Sequence, residues 1–185
     1  MEKVRWGFIG AGMIAKKALW PALLNSEVGE IYAVAARDEA RAKALSPSGR
    51  IYTNYDDLLA DPNVEAIYIS LPNSLHMPWS IKAMEAGKHV LIEKPMTQSS
   101  AEAEDLVAIS KEKGLVLMVD HTFLYTGAVR KIKDLIQSGE IGDIQYFDST
   151  RINLGLFQPD INVLWDLAPH DISILFYLIT DRPVS

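Results

Sequence analysis

The stretch Gly7-Phe8-Ile9-Gly10-Ala11-Gly12-Met13-Ile14-Ala15 constrains this chain more than any other part of it. A short apolar run, Val4 to Ile9, ends in a glycine turn, and an apolar-periodic segment follows at once. That order reads as a buried strand, a tight turn and a helix start, the setting a dinucleotide fingerprint requires. Gly10 permits the turn, Gly12 lets backbone N–H groups approach a pyrophosphate, and Ala15 lets the helix pack close to the sheet. The phosphates would rest on the N–H groups and positive dipole end of the first helix, where Met13 and Ile14 stand. Taken alone, G-x-G-x-x-A also suits an ordinary strand-to-helix turn, so its surroundings must decide.

Those surroundings alternate strand and helix. Met13 to Leu24 reads as the first helix, with Pro21 bending or ending its last turn. Strands follow at Glu30–Ala35, Arg50–Tyr52, Val64–Ile69, Lys88–Ile92 and Leu115–Val119. Helices lie between them at Asp38–Leu45, Tyr55–Ala60 and Pro78–Ala86, and from a Ser99/Glu102 capping box to near Gly114. This alternation predicts an α/β fold, a doubly wound parallel sheet, over residues 1–120. The pattern changes after Val119. Gly127 to Gln137 reads as an amphipathic helix, Asp143 to Ile152 as a strand, and Ile172, Leu175, Phe176 and Ile179 as the apolar stripe of a last helix. One strand and two helices leave both strand edges open. Either this strand joins strands from another chain, or residues 121–185 are the incomplete beginning of a second, α+β domain.

Candidate chemistry clusters at the carboxyl ends of strands, where an open parallel sheet holds its ligands. After the second strand comes Ala35-Ala36-Arg37-Asp38, with Arg41 one turn onward. Arginine there accommodates a 2′-phosphate and favours NADP, whereas Asp38 keeps NAD open. After the fourth strand, Leu71, Pro72, Asn73 and His76 would line the nicotinamide side, although Asn73 or Ser74 would also serve as a helix cap. After the fifth come Glu93, Lys94 and Pro95. A lysine on that rim can stabilise a developing alkoxide, and Glu93 can hold the lysine or the cofactor; a surface ion pair is the plainer alternative. Asp166 and His170 are four residues apart, on one helix face, as a general base and its carboxylate would be. Pro169 fits a first helical turn, which would instead make Asp166 an N-cap. His89 reads as structural, and His121 lies where the chain leaves the first domain.

Composition removes several classes. Over 185 residues the formal net charge is -6, which disfavours nucleic acid and anionic lipid as partners. There is no cysteine, so disulfides, thiolate nucleophiles and cysteine-ligated metals are excluded, and four dispersed histidines make no case for a metal site. The amino terminus runs straight into a strand and no apolar run is long enough to span a bilayer, so the expected location is the cytoplasm.

With Gly10–Ala15, Glu93-Lys94-Pro95, Ser138-Gly139-Glu140-Ile141-Gly142, and Asp166 with His170 in this order, the chain resembles the Gfo/Idh/MocA family of NAD(P)-dependent oxidoreductases. The resemblance runs from Val4 to the end of the chain. It implies that Lys94 and His170 act at a substrate hydroxyl, with Asp166 as the accompanying carboxylate and a cis bond before Pro95. It implies a dehydrogenase for a secondary alcohol of a sugar, nucleotide sugar or cyclic polyol. Many relatives carry Asn-x-Arg-Phe and a proline where this chain has Thr122-Phe123-Leu124-Tyr125 and Gly127. Relatives also continue into a large open sheet that backs the site and usually forms a dimer face; a homo-oligomer is expected here because the apolar side of the last helix and the Asp143–Ile152 strand lack partners within the chain. A dinucleotide-binding module without catalysis and a redox-assisted glycosidase on the same fold are the rival readings.

Overall fold

The computed structural model describes residues 2–46, 49–152 and 161–179. The chain divides into two compact units, Met1–Val119 and Asp120–Ser185. In the first, six strands form one parallel sheet: β1 (Val4–Ile9), β2 (Gly29–Ala35), β3 (Arg50–Tyr52), β4 (Ala66–Ile69), β5 (His89–Ile92) and β6 (Leu117–Val119). Their order across the sheet is β3-β2-β1-β4-β5-β6. This is the doubly wound arrangement that the alternation predicts, and the strand order reverses between β1 and β4.

The sequence of the two central strands explains why they are central. All four residues of β4 are buried, as are Gly7, Phe8 and Ile9 at the end of β1. A strand covered on both faces has no polar side to spare, so its residues run apolar without alternation. Successive side chains still point to opposite faces. Ile9, Ile67 and Ile69 join Leu58, Met84, Ile92 and Leu106 on one side of the sheet. Phe8 and Tyr68 join Ala15, Val34, Ala42 and Leu45 on the other, with the two rings edge-to-face at 5.2 Å.

Helices fill both layers: α1 (Trp20–Leu24), α2 (Glu39–Leu45), α3 (Tyr55–Ala60), α4 (His76–Glu85) and α5 (Ser100–Lys113). A wider, π-helical turn, Ala15–Leu19, precedes α1, and the Trp20 N–H reaches back to the Ala15 carbonyl. Pro21 supplies the physical reason. Its ring has no N–H for the carbonyl of Lys17 and would collide with it in a regular helix, so the turn before it widens. Pro21 therefore widens the middle of the segment rather than ending it. At α5 the box is seen directly: the Ser99 hydroxyl accepts from the Glu102 N–H at 3.3 Å, and the Glu102 carboxylate accepts from the Gln98 N–H at 2.9 Å. Gly114, at φ +63°, ends that helix in the left-handed conformation.

The amino edge of the sheet is closed by buried polar groups that the sequence did not flag. The Lys88 ammonium donates to the Asp61 carbonyl at 2.8 Å and the Val64 carbonyl at 2.7 Å. Burial pushes its pKa down, against the pull of Asp61 and Glu65. The Asp61 carboxylate accepts from the Tyr52 hydroxyl at 2.8 Å, from the Asn63 N–H at 2.9 Å and from the Asn63 amide at 3.0 Å.

In the second unit a short 3₁₀ turn, Thr122–Tyr125, leads to α6 (Gly127–Gln137), and α7 (Val163–Leu178) closes the described residues. Two expectations change. Asp143–Ile152, read as a strand, enters no ladder among the described residues. A strand exists by pairing, and no second strand is described in this unit to pair with it. The last helix also starts earlier than Pro169 suggests. Asn162 is its N-cap, accepting from the Trp165 N–H at 2.9 Å, so Pro169 lies inside the helix and Asp166 in its first turn. The sequence also suggests an irregular loop from Asn153 to Asn162 and a helix stop at Asp181-Arg182-Pro183; residues 153–160 and 180–185 lie outside the described residues.

Burial alone would raise the Asp61 carboxyl, but its hydrogen bonds and the nearby Arg50 outweigh that and hold it below the ordinary 3.8. Below 3.8 the unfolded chain then binds more protons than the folded one at this position. The stabilisation is present in full above 3.8 and is lost as the pH falls through the folded value. Urea unfolding between pH 2 and 6 should show this as falling stability, with a shallower fall in Asp61→Asn.

Candidate functional site

The strand reversal opens a crevice at the carboxyl ends of β1 and β4. Gly10, Gly12, Leu71, Pro72 and Asn73 lie on the turns that follow these two strands, and Glu93, Lys94 and Pro95 follow the adjacent β5. Gly10 has φ +98°, and a Cβ there would fall 2.9 Å from the Ser70 carbonyl oxygen and 3.2 Å from the Leu71 side chain. Both the turn and the neighbouring strand require glycine at this position. Gly12 differs. Its nearest neighbour would be the Ser70 carbonyl at 3.7 Å, an ordinary contact, and its φ is not positive. The protein's own packing gives no reason for glycine at 12, whereas close approach of a ligand to the backbone does. Met13 and Ile14 stand beside it, 61% and 46% exposed, while Ala15 is fully buried against the sheet. The first N–H groups of this helix have no partner within it, which suits a diphosphate.

The turn after β2 carries Arg37 and Asp38, the residues the sequence suggests for distinguishing the two dinucleotides. Asp38 caps α2, its carboxylate accepting from the Ala40 N–H at 2.9 Å and the Arg41 N–H at 3.3 Å. It also pairs with the Arg41 guanidinium at 3.5 Å. Arg37 and Arg41 are both exposed.

His76 does not line the crevice as an open wall. It is 1% exposed, with Nδ1 2.7 Å from the Pro95 carbonyl oxygen and Nε2 2.9 Å from the Leu71 carbonyl oxygen. The ring ties the turn after β4 to the turn after β5. Sequence reasoning saw a histidine at the right edge but had no means of seeing that both nitrogens face backbone carbonyls. Asn73 is buried, and neither it nor Ser74 caps the helix that follows, which begins without a side-chain cap. The Glu93 carboxylate accepts from the hydroxyl of Tyr68, a fully buried residue of β4. No sequence signal named Tyr68, although a tyrosine in an otherwise aliphatic buried strand needs a partner for its hydroxyl. The Lys94–Pro95 peptide bond is cis, as the resemblance implied.

Asp166 and His170 belong to the second unit, one helical turn apart on α7. The His170 ring meets Phe123 edge-to-face, with centroids 4.7 Å apart. His121 is held below the usual histidine value by burial, against the pull of Asp120, and its Nδ1 has no hydrogen-bond partner among the described residues. His89 is structural, its Nδ1 accepting from the Val116 N–H at 3.0 Å. Among the described residues no cluster of three or more histidine, aspartate or glutamate side chains could hold a metal, and no helix is long and apolar enough to cross a membrane.

Residues 4–121 match the profile of the Gfo/Idh/MocA oxidoreductases, described as an NAD-binding Rossmann fold. The chain belongs to this family. It is 40% identical over 159 residues to the uncharacterized oxidoreductase ORF334 of Rhizobium meliloti, covering 83% of this chain and 48% of that protein. It is 40% identical over 147 residues to the dTDP-3,4-didehydro-2,6-dideoxy-alpha-D-glucose 3-reductase of Streptomyces violaceoruber, covering 78% of this chain and 43% of the reductase. Among solved structures it is similar to a mutant form of KijD10, a 3-ketoreductase from Actinomadura kijaniata, in complex with TDP-benzene and NADP. The TM-score is 0.73 at 38% identity, over 78% of this chain and 45% of that one. The chain thus spans about half the length of the relatives it matches.

The two glycines predict opposite mutant behaviour. Gly10→Ala should lower the thermal midpoint, because a Cβ there meets backbone in a left-handed conformation. Gly12→Ala should leave the midpoint within about 1 °C, since surface changes without strain stay near ±0.5 kcal/mol. Calorimetric titration should nevertheless show Gly12→Ala losing NADP affinity by roughly tenfold or more, equivalent to about 1.4 kcal/mol.

Proposed function

We propose that the chain is part of an NADP-dependent oxidoreductase that moves a hydride between a secondary alcohol of a sugar and the nicotinamide. Nucleotide sugars are the favoured substrates. The Met1–Val119 unit holds the dinucleotide, and Asp120–Ser185 begins the domain that serves substrate and oligomer contacts. The observation that carries the reading is Gly12, a glycine that protein packing does not require, at the helix start in the switch-point crevice. NADP is favoured over NAD because the Asp38 carboxylate is occupied as a helix cap, leaving Arg37 exposed for a 2′-phosphate. Nucleotide sugars are favoured because relatives at this identity include a dTDP-sugar 3-reductase and a ketoreductase bound to a TDP compound.

Gly10, Gly12, Met13 and Ile14 would hold the diphosphate end of the cofactor; Leu71, Pro72, Asn73, Glu93, Lys94 and Pro95 would serve its nicotinamide end. His76 braces the turns that carry them. The bound nicotinamide supplies or accepts the hydride. Lys94 steadies charge on the substrate oxygen, His170 takes or returns the hydroxyl proton, and Asp166 supports the charged imidazole. The amphipathic α6 and the exposed Tyr146, Ile152, Ile172 and Phe176 favour self-association.

Lys94→Ala should abolish turnover of TDP-sugars while changing the NADP dissociation constant less than about twofold, since a group acting at the transition state adds little to ground-state binding. Arg37→Ala should weaken NADP roughly tenfold or more and leave NAD nearly unchanged, by loss of one charge-assisted phosphate contact of about 1.5–3 kcal/mol. Turnover retained in Lys94→Ala would overturn the catalytic reading. A chain that binds neither NAD nor NADP would overturn the cofactor reading as well.

A further inference from the structure

Phe123 packs against both Arg151 and His170. The Arg151 guanidinium lies over its ring, 4.6 Å from the centroid, and the His170 ring meets it edge-to-face at 4.7 Å and 68°. Arg151 also forks onto Asp171, the residue after His170, with Nε to Oδ2 at 2.7 Å and Nη2 to Oδ1 at 3.0 Å. The Ser149 hydroxyl donates to Asp171 Oδ1 at 2.9 Å. Both oxygens of Asp171 are therefore engaged. The Arg151 and Asp171 side chains are only 24% and 22% exposed, unlike a surface ion pair. The hydrogen bond from Arg151 is the largest of the causes holding the Asp171 carboxyl below its ordinary value.

We propose that Arg151 is a positioning residue for the His170 imidazole, acting through its fork on Asp171 and its stacking on Phe123. The proposal rests on His170 being the group that moves the substrate proton. A planar fork with both bonds made fixes orientation as well as distance, which a lysine in the same place does not. The same guanidinium plane bears on the ring that His170 leans against. One side chain thus restrains His170 twice, along the helix through Asp171 and at the ring through Phe123. The hydroxyl of Ser173, bonded to the His170 carbonyl at 2.7 Å, anchors the backbone of the same turn. A positioning group of this kind matters because small displacements of a proton-transfer group cost rate steeply.

The test uses the full chain with histidine ring labels, in wild type, Arg151→Met and Arg151→Lys, with the His170 signal assigned by its disappearance in His170→Ala. Both Arg151 variants should shift the His170 ring resonances as the Phe123 ring current moves, leaving those of His76 and His89 in place. In turnover they should lose roughly 10- to 100-fold in kcat with KM changed less than about twofold. Should Arg151→Met fail to fold, Arg151→Lys, which keeps the charge and the stem but not the fork, carries the comparison alone. His170 resonances that stay fixed, or that move only together with those of His76 and His89, overturn the proposal, as does a wild-type kcat in both variants. Lys94→Ala run in parallel separates the two levels. Turnover retained there removes the catalytic reading, and the resonance comparison then decides whether Arg151 orders the imidazole.

Discussion

The structure depends first on how closely the turn after β1 approaches the end of β4. The Ser70 N–H donates to the Ile9 carbonyl at 3.0 Å, and the Ser70 hydroxyl donates to the Gly10 carbonyl at 3.2 Å. Only a residue without Cβ fits between them, because Ser70 occupies the space a side chain would need. That contact brings the reversal point of the sheet and the start of the first helix to the same place. Everything the crevice can do, from holding a diphosphate to presenting Lys94 one strand further along, presupposes it.

The polar residues of the first unit divide between the two edges of the sheet according to what each edge must do. At the amino edge Lys88, Asp61 and Asn63 satisfy one another and the backbone, and the hydroxyl of Tyr52, at the end of β3, donates to Asp61. A buried ammonium is tolerable there because two carbonyls receive its protons, and removing either partner would strand a charge. At the carboxyl edge, His76 and Tyr68 perform the same stabilising work, yet they do so one layer beneath the turns. The turns above them are thereby held without using Gly12, Met13 or Arg37. This separation of support from contact is what a site for a large cofactor needs.

The first unit was largely legible in the sequence because its signals are local. A buried strand declares itself by an apolar run, a helix start by Ser99 with Glu102, and a helix end by Gly114. Each depends on neighbours within a few residues. The misreadings came where the deciding partner is distant or missing. His76 looked like a wall residue because its carbonyl partners come from two different turns. Pro21 was expected to bend or end the last turn of the first helix, and the chain absorbs it by widening the turn before it. Asp143–Ile152 has the composition of a strand, yet composition cannot supply the second strand that pairing requires. Asn162 was not legible as a cap because Pro169, a stronger local signal, pointed to Asp166, four residues too far along.

The same distinction explains why the surroundings of His170 could not be read beforehand. Asp166 and His170 share a helix, so their spacing alone places them on one face. Arg151 and Phe123 come from elsewhere in the chain, and nothing in their sequence neighbourhood marks them. Yet an arginine that forks onto a carboxylate and lies on an aromatic ring is restrained in all its rotatable bonds, at an entropy cost of about 2 kcal/mol for the side chain. Such a restraint is stabilising only if both contacts persist together. Their meeting beside the histidine gives this unit, poor in buried residues among those described, a doubly tethered side chain. Rigidity placed at that point, rather than along the exposed faces of α6 and α7, is the arrangement expected where the orientation of one imidazole matters more than the stability of the unit as a whole.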